Sequence, residues 1–367
     1  MTSMTAKNET RPSTEEIEFV AAEVARFFLD KKQPLFSFLS GSVAEGIATP
    51  NSDYDVYAVF DTCEESEALV IDNDRPIEIT SITLAKLENT LLFVQRGEDL
   101  ASVTNYELLL CHRVYSGIGL TTTERFHELQ TRFDIETFRA NLTEMCFLNA
   151  ERSLKVCNGF IMTGDKRSAS LSANNALKHS FNMLLAMKGA TSILEKWQMR
   201  YATRLLGDEH LAFTHYIELI SHVPCQHTRQ IDSYIQDVKN LHQLICDNRI
   251  LQKHIEDEAF FTPSRLFTTN TRYVASTVFK DRLGRVVNSH SRFYLIMDGT
   301  PVLELPEAAA VLWALIDNQQ TTTDLAFQAR ELLGLPFDST FEFLTSFGNA
   351  KAINIVSHDF DFLLAPQ

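Results

Sequence analysis

The chain contains few basic residues for its size. Its 33 lysines and arginines stand against 48 aspartates and glutamates, which leaves a formal charge of −15 over 367 residues. Proteins that bind nucleic acids draw most of their affinity from lysine and arginine contacts to phosphate. The composition therefore argues against a nucleic-acid partner.

Long apolar runs are also missing. No stretch reaches the roughly 20 residues that span a bilayer, and the N-terminal sequence lacks the charged-then-apolar order of a secretory signal. The six cysteines include no Cys-x-x-Cys pair, which favours reduced thiols over a disulfide framework. These absences predict a cytoplasmic protein without a membrane partner.

A compact metal-binding motif is absent as well. His222, Cys225 and His227 place three candidate ligands close together, but no fourth ligand follows at a usual spacing. We interpret this segment as a loop rather than a zinc site.

Apolar residues, at 45% of the chain, are sufficient for the two or three folded units that this length favours. An N-cap at Ser13 predicts a helix that runs to about Lys31. The patterns that follow predict strands over 35–39 and 54–60 on either side of a short helix, a hairpin over 68–82 and a helix over 84–95.

Strand patterns vanish between about 122 and 255, where long amphipathic stretches predict helices. The C-terminal part predicts strands at 273–279, 292–297 and 302–305, with helices over 306–316, 322–333 and 340–350 and a closing apolar run at 353–356. We therefore predict an α+β protein. Its predicted domains are a mixed-sheet core over 14–120, a helical bundle over 121–262 and a small α+β domain over 270–360.

The segment SDYDVYAVF, residues 52–60, carries two acids on a strand that is otherwise apolar. Because side chains alternate along a strand, Asp53 and Asp55 point to one side of the sheet. Their mutual repulsion is removed by a divalent cation, and such oxygen ligands suit Mg²⁺ held together with the phosphates of a nucleotide. Glu78 places a third acid between Ile77 and Ile79 on the predicted hairpin.

Acids after a turn are common in solvated loops, so the pair alone has an ordinary explanation. The neighbouring Gly41 and Ser42 favour a functional site instead. Glycine lets the backbone approach a phosphate, and the serine hydroxyl and the start of a short helix provide hydrogen-bond donors for it.

Gly41-Ser42, ten intervening residues, then Asp53-Tyr54-Asp55 and a later acid resemble the signature of the DNA polymerase beta-type nucleotidyltransferase superfamily, in its minimal and aminoglycoside-modifying branches. The resemblance covers about residues 17–120. It implies an enzyme that transfers a nucleoside monophosphate from an NTP to an acceptor and releases pyrophosphate. Mg²⁺ is the implied cofactor, and ATP is the expected nucleotide.

The resemblance also implies roles for individual residues. Asp53 and Asp55 would hold the metal ions that bridge the triphosphate, and Ser42, next to Gly41, would contact the terminal phosphates. Glu78 would share a metal or accept the proton of the acceptor. A purely structural role for Glu78 is the alternative, because the third acid varies in position within the superfamily.

Basic residues in the helical region form a second candidate set. A triphosphate needs cations opposite the carboxylates, since Mg²⁺ does not neutralise all of its charge. The stretch 188–200 resembles the helical domain that follows the core in several bacterial nucleotidyltransferases. It implies phosphate contacts from Lys188, Lys196 and Arg200, with a solvated basic face as the alternative. Glu107, His112 and Arg113 are further candidates for the edge of the cleft.

The C-terminal segment, about 272–358, resembles the small winged-helix peptide carrier of pyrroloquinoline quinone synthesis and its relatives, which recognise leader peptides. The resemblance implies a C-terminal winged-helix domain that binds an extended peptide beside a strand edge. A winged helix can also bind DNA, but the segment 340–351 is nearly devoid of cations.

The sequence therefore predicts a Mg²⁺-dependent nucleotidyltransferase with a peptide or protein acceptor recruited by the winged helix. One alternative is a small-molecule acceptor of the aminoglycoside kind, in which the C-terminal domain forms a homodimer. The other is a non-catalytic nucleotide- or peptide-binding module.

Overall fold

A computed structural model describes residues 11–62, 66–72, 75–224, 228–252, 255, 260–261, 277–280, 284–289, 292–297, 300–317 and 320–356. The chain divides into two compact units. Unit 1 comprises 1–145 and 185–205, and unit 2 comprises 146–184 and 206–367. The three consecutive domains that the sequence indicates stay a prediction.

Unit 1 is built on five strands: β1 (Phe36–Ser40), β2 (Tyr54–Phe60), β3 (Ser66–Asp72), β4 (Arg75–Thr83) and β5 (Ile118–Thr121). They form one sheet in the order β3-β4-β2-β1-β5. The pair β2 and β4 is parallel, and every other pair is antiparallel. The sheet confirms the predicted α+β class with a mixed sheet, and it adds β5, which no sequence pattern indicated.

The first three helices of unit 1 begin close to the predicted positions. Ser13 caps the first helix by accepting a hydrogen bond from the Glu16 amide at 3.1 Å. Glu107 belongs to a capping box with Thr104, which explains this acid without a role in a cleft. The helices are α1 (Thr14–Phe27), α2 (Gly41–Ala44), α3 (Leu84–Arg96), α4 (Asn105–Ser116) and α5 (Thr123–Arg132). Helices α6 (Ile135–Met162), α7 (Lys166–Met187) and α8 (Glu195–Leu206) contribute residues to both units.

Both faces of the sheet are covered by apolar side chains. On one face, Val20 and Val24 of α1 belong to a buried cluster with Val56 of β2. On the other face, the buried Phe38 ring stacks on Phe126 of α5 with a centroid distance of 4.5 Å. Two-sided burial makes any charged residue within the central strands unusual.

Unit 2 contains the remaining helices and strands. Helices α9 (Leu211–Ser221) and α10 (Thr228–Leu251) precede β6 (Thr277–Lys280), β7 (Gly284–Ser289), β8 (Arg292–Met297) and β9 (Thr300–Leu305). Helices α11 (Glu307–Leu315), α12 (Thr322–Leu333) and α13 (Phe337–Asn349) and strand β10 (Ile353–Val356) follow. In the described part, β7-β8-β9 form one antiparallel sheet and β6 pairs with β10.

The C-terminal elements confirm the predicted α+β character of this region, while the winged-helix assignment stays a prediction. Most of the predicted strand 273–279 and the turn at 298–299 lie outside the described residues. Four cysteines are free and buried, as expected for reduced thiols: Cys111, Cys146, Cys157 and Cys246. Within the described residues, no helix combines the length and apolar character needed to cross a bilayer.

A buried polar network links four elements of unit 2. His242 on α10 contacts Glu151 through Nε2 and Ser180 through Nδ1, each at 2.8 Å. Burial opposes the charged imidazole, but contacts with Cys246 and Glu151 raise the pKa of His242 to about 10. Arg285 of β7 forms an ion pair with the same glutamate.

This network contains an acid, a histidine and a serine, but it lacks an accessible nucleophile. The Ser180 side chain is fully buried, and its hydroxyl donates to the Ala176 carbonyl at 2.7 Å. We therefore interpret the network as a structural link between helices.

Replacing Glu151 by Gln is expected to destabilise the fold by about 3–5 kcal/mol, since it leaves the charges of His242 and Arg285 buried without their partner. Urea denaturation measures the change. Glu209→Gln, at an exposed position, is the control. Equal stabilities for the two variants would contradict the structural role.

Candidate active site

Strand register places two of the three predicted carboxylates side by side. Asp55 of β2 lies directly opposite Glu78 of β4 in a parallel pair. Registered residues of neighbouring strands project from the same face, with their Cα atoms about 4.8 Å apart. The Asp55 carboxylate experiences the negative charge of both Asp53 and Glu78. Asp53 itself lies just before the start of β2.

Alternation along β2 places Tyr54 and Asp55 on opposite faces of the sheet. Tyr54 points to the opposite face, where it is 5% exposed and its hydroxyl donates to Glu16 of α1 at 2.7 Å. Arg75 donates to the same glutamate at 3.0 Å. These contacts attach α1 to β2 and β4, so the strands that carry the carboxylates are fixed from behind.

Gly41 lies against the Asp55 carboxylate. Its φ of +71° is in the left-handed region, and a Cβ atom at this position would overlap Oδ2 of Asp55. The hydroxyl of Ser40 donates to the Asp55 carbonyl at 3.2 Å. The glycine is therefore required by its close approach to the carboxylate. Ser42 follows with its side chain buried, and its predicted phosphate contact stays a prediction.

Arg113 is the main cation beside the carboxylates. Its Nη2 lies 3.3 Å from Oδ1 of Asp55, and its Nη1 donates to the Tyr57 hydroxyl at 2.5 Å. Both side chains of the ion pair are about one-fifth exposed, at 19% and 20%. Sequence reasoning placed Arg113 at the edge of the cleft, whereas the structure places it in direct contact with an acid.

Burial and neighbouring acids raise the pKa of Asp55. Desolvation is the largest cause that raises the pKa of this carboxyl, and Asp53 and Glu78 add to it; Arg113 and Lys196 oppose the shift without cancelling it. An additional cation beside this carboxyl would favour its ionised form.

Among the predicted basic residues, the charge of Lys196 acts on Asp55. Lys196 lies exposed in the first turn of α8. Arg200, one turn further on, donates to the backbone carbonyl of Ile47 and lies 5.3 Å from the Trp197 ring centroid. Lys188 follows the end of α7 and is half-buried. The phosphate contacts of all three residues stay predictions.

Next to the carboxylates lies a buried network that sequence reasoning did not identify. His112 contacts Glu45 through Nε2 and Thr191 through Nδ1, each at 2.8 Å. The hydroxyl of Tyr201 on α8 donates to Oε2 of Glu45. Sequence reasoning made His112 a candidate for the edge of the cleft, with a packed histidine as the alternative, but no pattern in the sequence joins positions 45, 191 and 201.

The carboxylate oxygens of the site suit a hard divalent cation whose remaining ligands come from another molecule. Asp53, Asp55 and Glu78 offer carboxylate oxygens, which Mg²⁺ prefers, although Arg113 already engages one oxygen of Asp55. Within the described residues, no group of three or more His, Cys, Asp or Glu side chains has the arrangement of a metal site. Mg²⁺ is commonly held by one or two carboxylates plus substrate phosphates, so the residues fit such a shared site.

The other candidate metal segment lies partly outside the described residues. Cys225 and His227 fall there, and His222 hydrogen-bonds through Nδ1 to the Glu218 carbonyl at 3.0 Å. This contact is consistent with the interpretation of the segment as a loop.

Comparison with solved structures finds a similarity of fold. The chain is similar to a solved structure described as a nucleotidyltransferase-like protein from Exiguobacterium sibiricum, at 14% identity and a TM-score of 0.39. The similarity covers 64% of this chain and 76% of the other. No protein-family model matches the chain, and no curated protein matches it.

The raised pKa of Asp55 has a consequence for stability. Because the folded state holds this proton more tightly than the unfolded state, ionisation of Asp55 destabilises the fold as the pH rises through the raised pKa. Asp55→Asn removes this penalty. We expect the stability of the variant relative to the native chain to increase between about pH 4 and the folded-state pKa and then to level off.

Thermal melts from pH 4 to 8 measure this difference. Asp61→Asn, which alters an exposed acid just after the end of β2, is the matched control and should show no such trend. A relative stability of Asp55→Asn that falls with rising pH would show that the ion pair with Arg113 outweighs burial.

Proposed function

We propose that the chain is a Mg²⁺-dependent nucleotidyltransferase that moves a nucleoside monophosphate from an NTP to an acceptor. The observation that carries this proposal is the alignment of Asp55 with Glu78 on neighbouring parallel strands, with Asp53 two residues away and Gly41 in contact. Such a cluster is costly without a cation, and its oxygens are the ligands that Mg²⁺ takes together with phosphates.

The residues around the cluster support the same chemistry. Asp53, Asp55 and Glu78 would hold Mg²⁺, which when bound neutralises charge on the phosphates and aligns the attacking and leaving oxygens. Arg113 and Lys196 provide positive charge at the site, as a transferring phosphoryl group requires. ATP is the proposed nucleotide.

Asp53 and Glu78 remain the candidates for accepting the acceptor's proton. Asp55 is occupied by Arg113 on one oxygen and by Gly41 against the other. A carboxylate fixed from both sides is suited to orienting ligands, whereas a base must reach the proton that it removes.

We also propose a peptide or protein acceptor. In the described part of unit 2, β9 is an edge strand of its sheet, and its first three residues are exposed. An edge strand with open backbone groups can pair with an extended peptide. The proposal thus assigns recruitment to unit 2 and transfer to unit 1.

One observation favours a second candidate, a nucleotide-binding module without turnover. The ion pair between Arg113 and Asp55 supplies a positive charge where the first proposal needs a metal ion. A module of this kind would bind NTP and would release no pyrophosphate.

The decisive experiment supplies the full chain with α-labelled NTPs, Mg²⁺ and either a peptide library or aminoglycosides, and measures pyrophosphate release and label transfer. We expect Mg²⁺-dependent release with label on the peptides. The double variant Asp53→Asn/Asp55→Asn should lose at least about a hundredfold, because ligands that neutralise phosphoryl charge are removed.

Asp61→Asn is the matched control, since it removes an exposed acid near β2 and should retain activity. Label on aminoglycosides alone would replace the peptide acceptor by a small molecule. NTP binding without pyrophosphate release in any arm would favour the second candidate, and absence of NTP binding would contradict both.

A further inference from the structure

Unit 1 contains a cavity of about 490 Å³ that the carboxylates do not line. Its walls come from Arg11, α4, the start of β5, the ends of α2, α5 and α8, the first turns of α6, and residues 189–191. The volume lies within the range of about 300–1,000 Å³ that is usual for small-molecule sites. Asp53, Asp55, Glu78 and Lys196 are not among the lining residues, so this is a separate site.

The cavity carries the opposite charge to the rest of the chain. Three arginines line it, Arg11, Arg139 and Arg204, against a single acid, Glu45. In a chain with a formal charge of −15, this local excess of guanidinium groups is unexpected for an ordinary surface. Concave sites with one sign of charge concentrate ligands of the opposite sign.

The single acid is already engaged by its neighbours. Glu45 accepts hydrogen bonds from Tyr201 and from His112, and its side chain is 7% exposed. Burial raises the pKa of Glu45, but hydrogen bonds from His112 and Tyr201 and the charge of Arg204 outweigh it, so the carboxyl is ionised. The one carboxylate offsets only part of the positive charge of the three arginines, so the lining keeps a net positive charge.

Arg139 has hydrogen-bonding capacity directed to this region. Its Nη1 contacts the exposed Glu136 at 2.7 Å, whereas its Nε is buried and has no hydrogen-bond partner within the described residues. Its Nη2 donates to the hydroxyl of Tyr115, another lining residue, at 3.5 Å. A buried donor without a partner is costly unless a ligand or water satisfies it.

Apolar and aromatic surface completes the lining. Tyr115, Ile118 and Leu205 contribute side chains next to the arginines. A bare inorganic anion would leave this surface uncovered, whereas an organic body would bury it and gain about 25 cal/mol per Å².

We propose that this cavity binds a small organic anion, an apolar body that bears one carboxylate or phosphate group, with Arg139 and Arg204 receiving the anionic group. The ligand site is independent of the transferase proposal, because it uses none of the residues to which that proposal assigns chemistry. It adjoins the carboxylates through α4, on which consecutive residues His112 and Arg113 face the cavity and Asp55 respectively.

Isothermal titration calorimetry of the full chain with four probes tests the site: phenyl phosphate, benzoate, inorganic phosphate and phenol. We expect saturable binding of phenyl phosphate or benzoate, and the stronger of the two identifies the anionic group. Inorganic phosphate should bind at least about tenfold more weakly than the tighter of these two probes, because it lacks the apolar body. Phenol should also bind at least about tenfold more weakly, because it lacks the charge.

Arg139→Gln and Arg204→Gln should each weaken the tighter probe about tenfold or more, since each removes a charge-assisted hydrogen bond. Leu205→Trp, which fills part of the cavity without changing its charge, should weaken binding as well. Arg132→Gln, at an exposed arginine of α5 outside the cavity, is the matched control. Melting temperatures confirm that each variant is folded.

The double variant Asp53→Asn/Asp55→Asn should retain the probe, which separates this site from the nucleotide site. The proposal is overturned if neither phenyl phosphate nor benzoate binds, if phenol or inorganic phosphate binds equally well, or if Arg132→Gln weakens binding as much as Arg139→Gln. If Lys196→Gln loses binding of the probe while Arg139→Gln keeps it, the probe binds at the carboxylates and the proposal is overturned as well.

Discussion

The arrangement of unit 1 depends on one half-buried carboxylate. Asp55 is placed within a central strand of a sheet that is covered on both faces, where an ionised group is expensive. The fold accommodates it through Arg113 on one side and through the absence of a side chain at Gly41 on the other. The position of α2 follows from the second contact, and the inward direction of the Arg113 side chain follows from the first.

Charge is distributed unevenly in this acidic chain. Arg113 and Lys196 act on the carboxylates, whereas Arg139 and Arg204 line the cavity, and the two groups do not overlap. Helix α4 separates them, because neighbouring residues on a helix point about 100° apart. Helix α8 contributes to both as well, through Lys196 near its start and Tyr201 and Arg204 near its end. Two sites of different character are thus built from the same helices.

Much of the fold could be predicted from local patterns. The span Tyr54–Phe60 agrees with its predicted limits because every residue from Val56 onward is apolar, and the start of α1 agrees because Ser13 provides a specific cap. By contrast, β5 and α4 were missed. Strand β5 has only four half-buried residues, and α4 mixes buried apolar residues with buried His112, so neither shows a clean period.

Some features of the candidate site could likewise be predicted from the sequence, and others could not. The sequence by itself determined which acids, glycine and serine are candidates for the site. Their residue types and their spacing along the chain can be read without knowledge of the fold. Only the tertiary structure decided that Arg113 faces Asp55, that Glu45, His112, Thr191 and Tyr201 form one network, and that Arg139 and Arg204 share a cavity. These partners are separated by up to 156 positions along the chain, as in the contact of Tyr201 with Glu45. Periodicity shows which face of an element is buried, but it does not show which distant residues meet there.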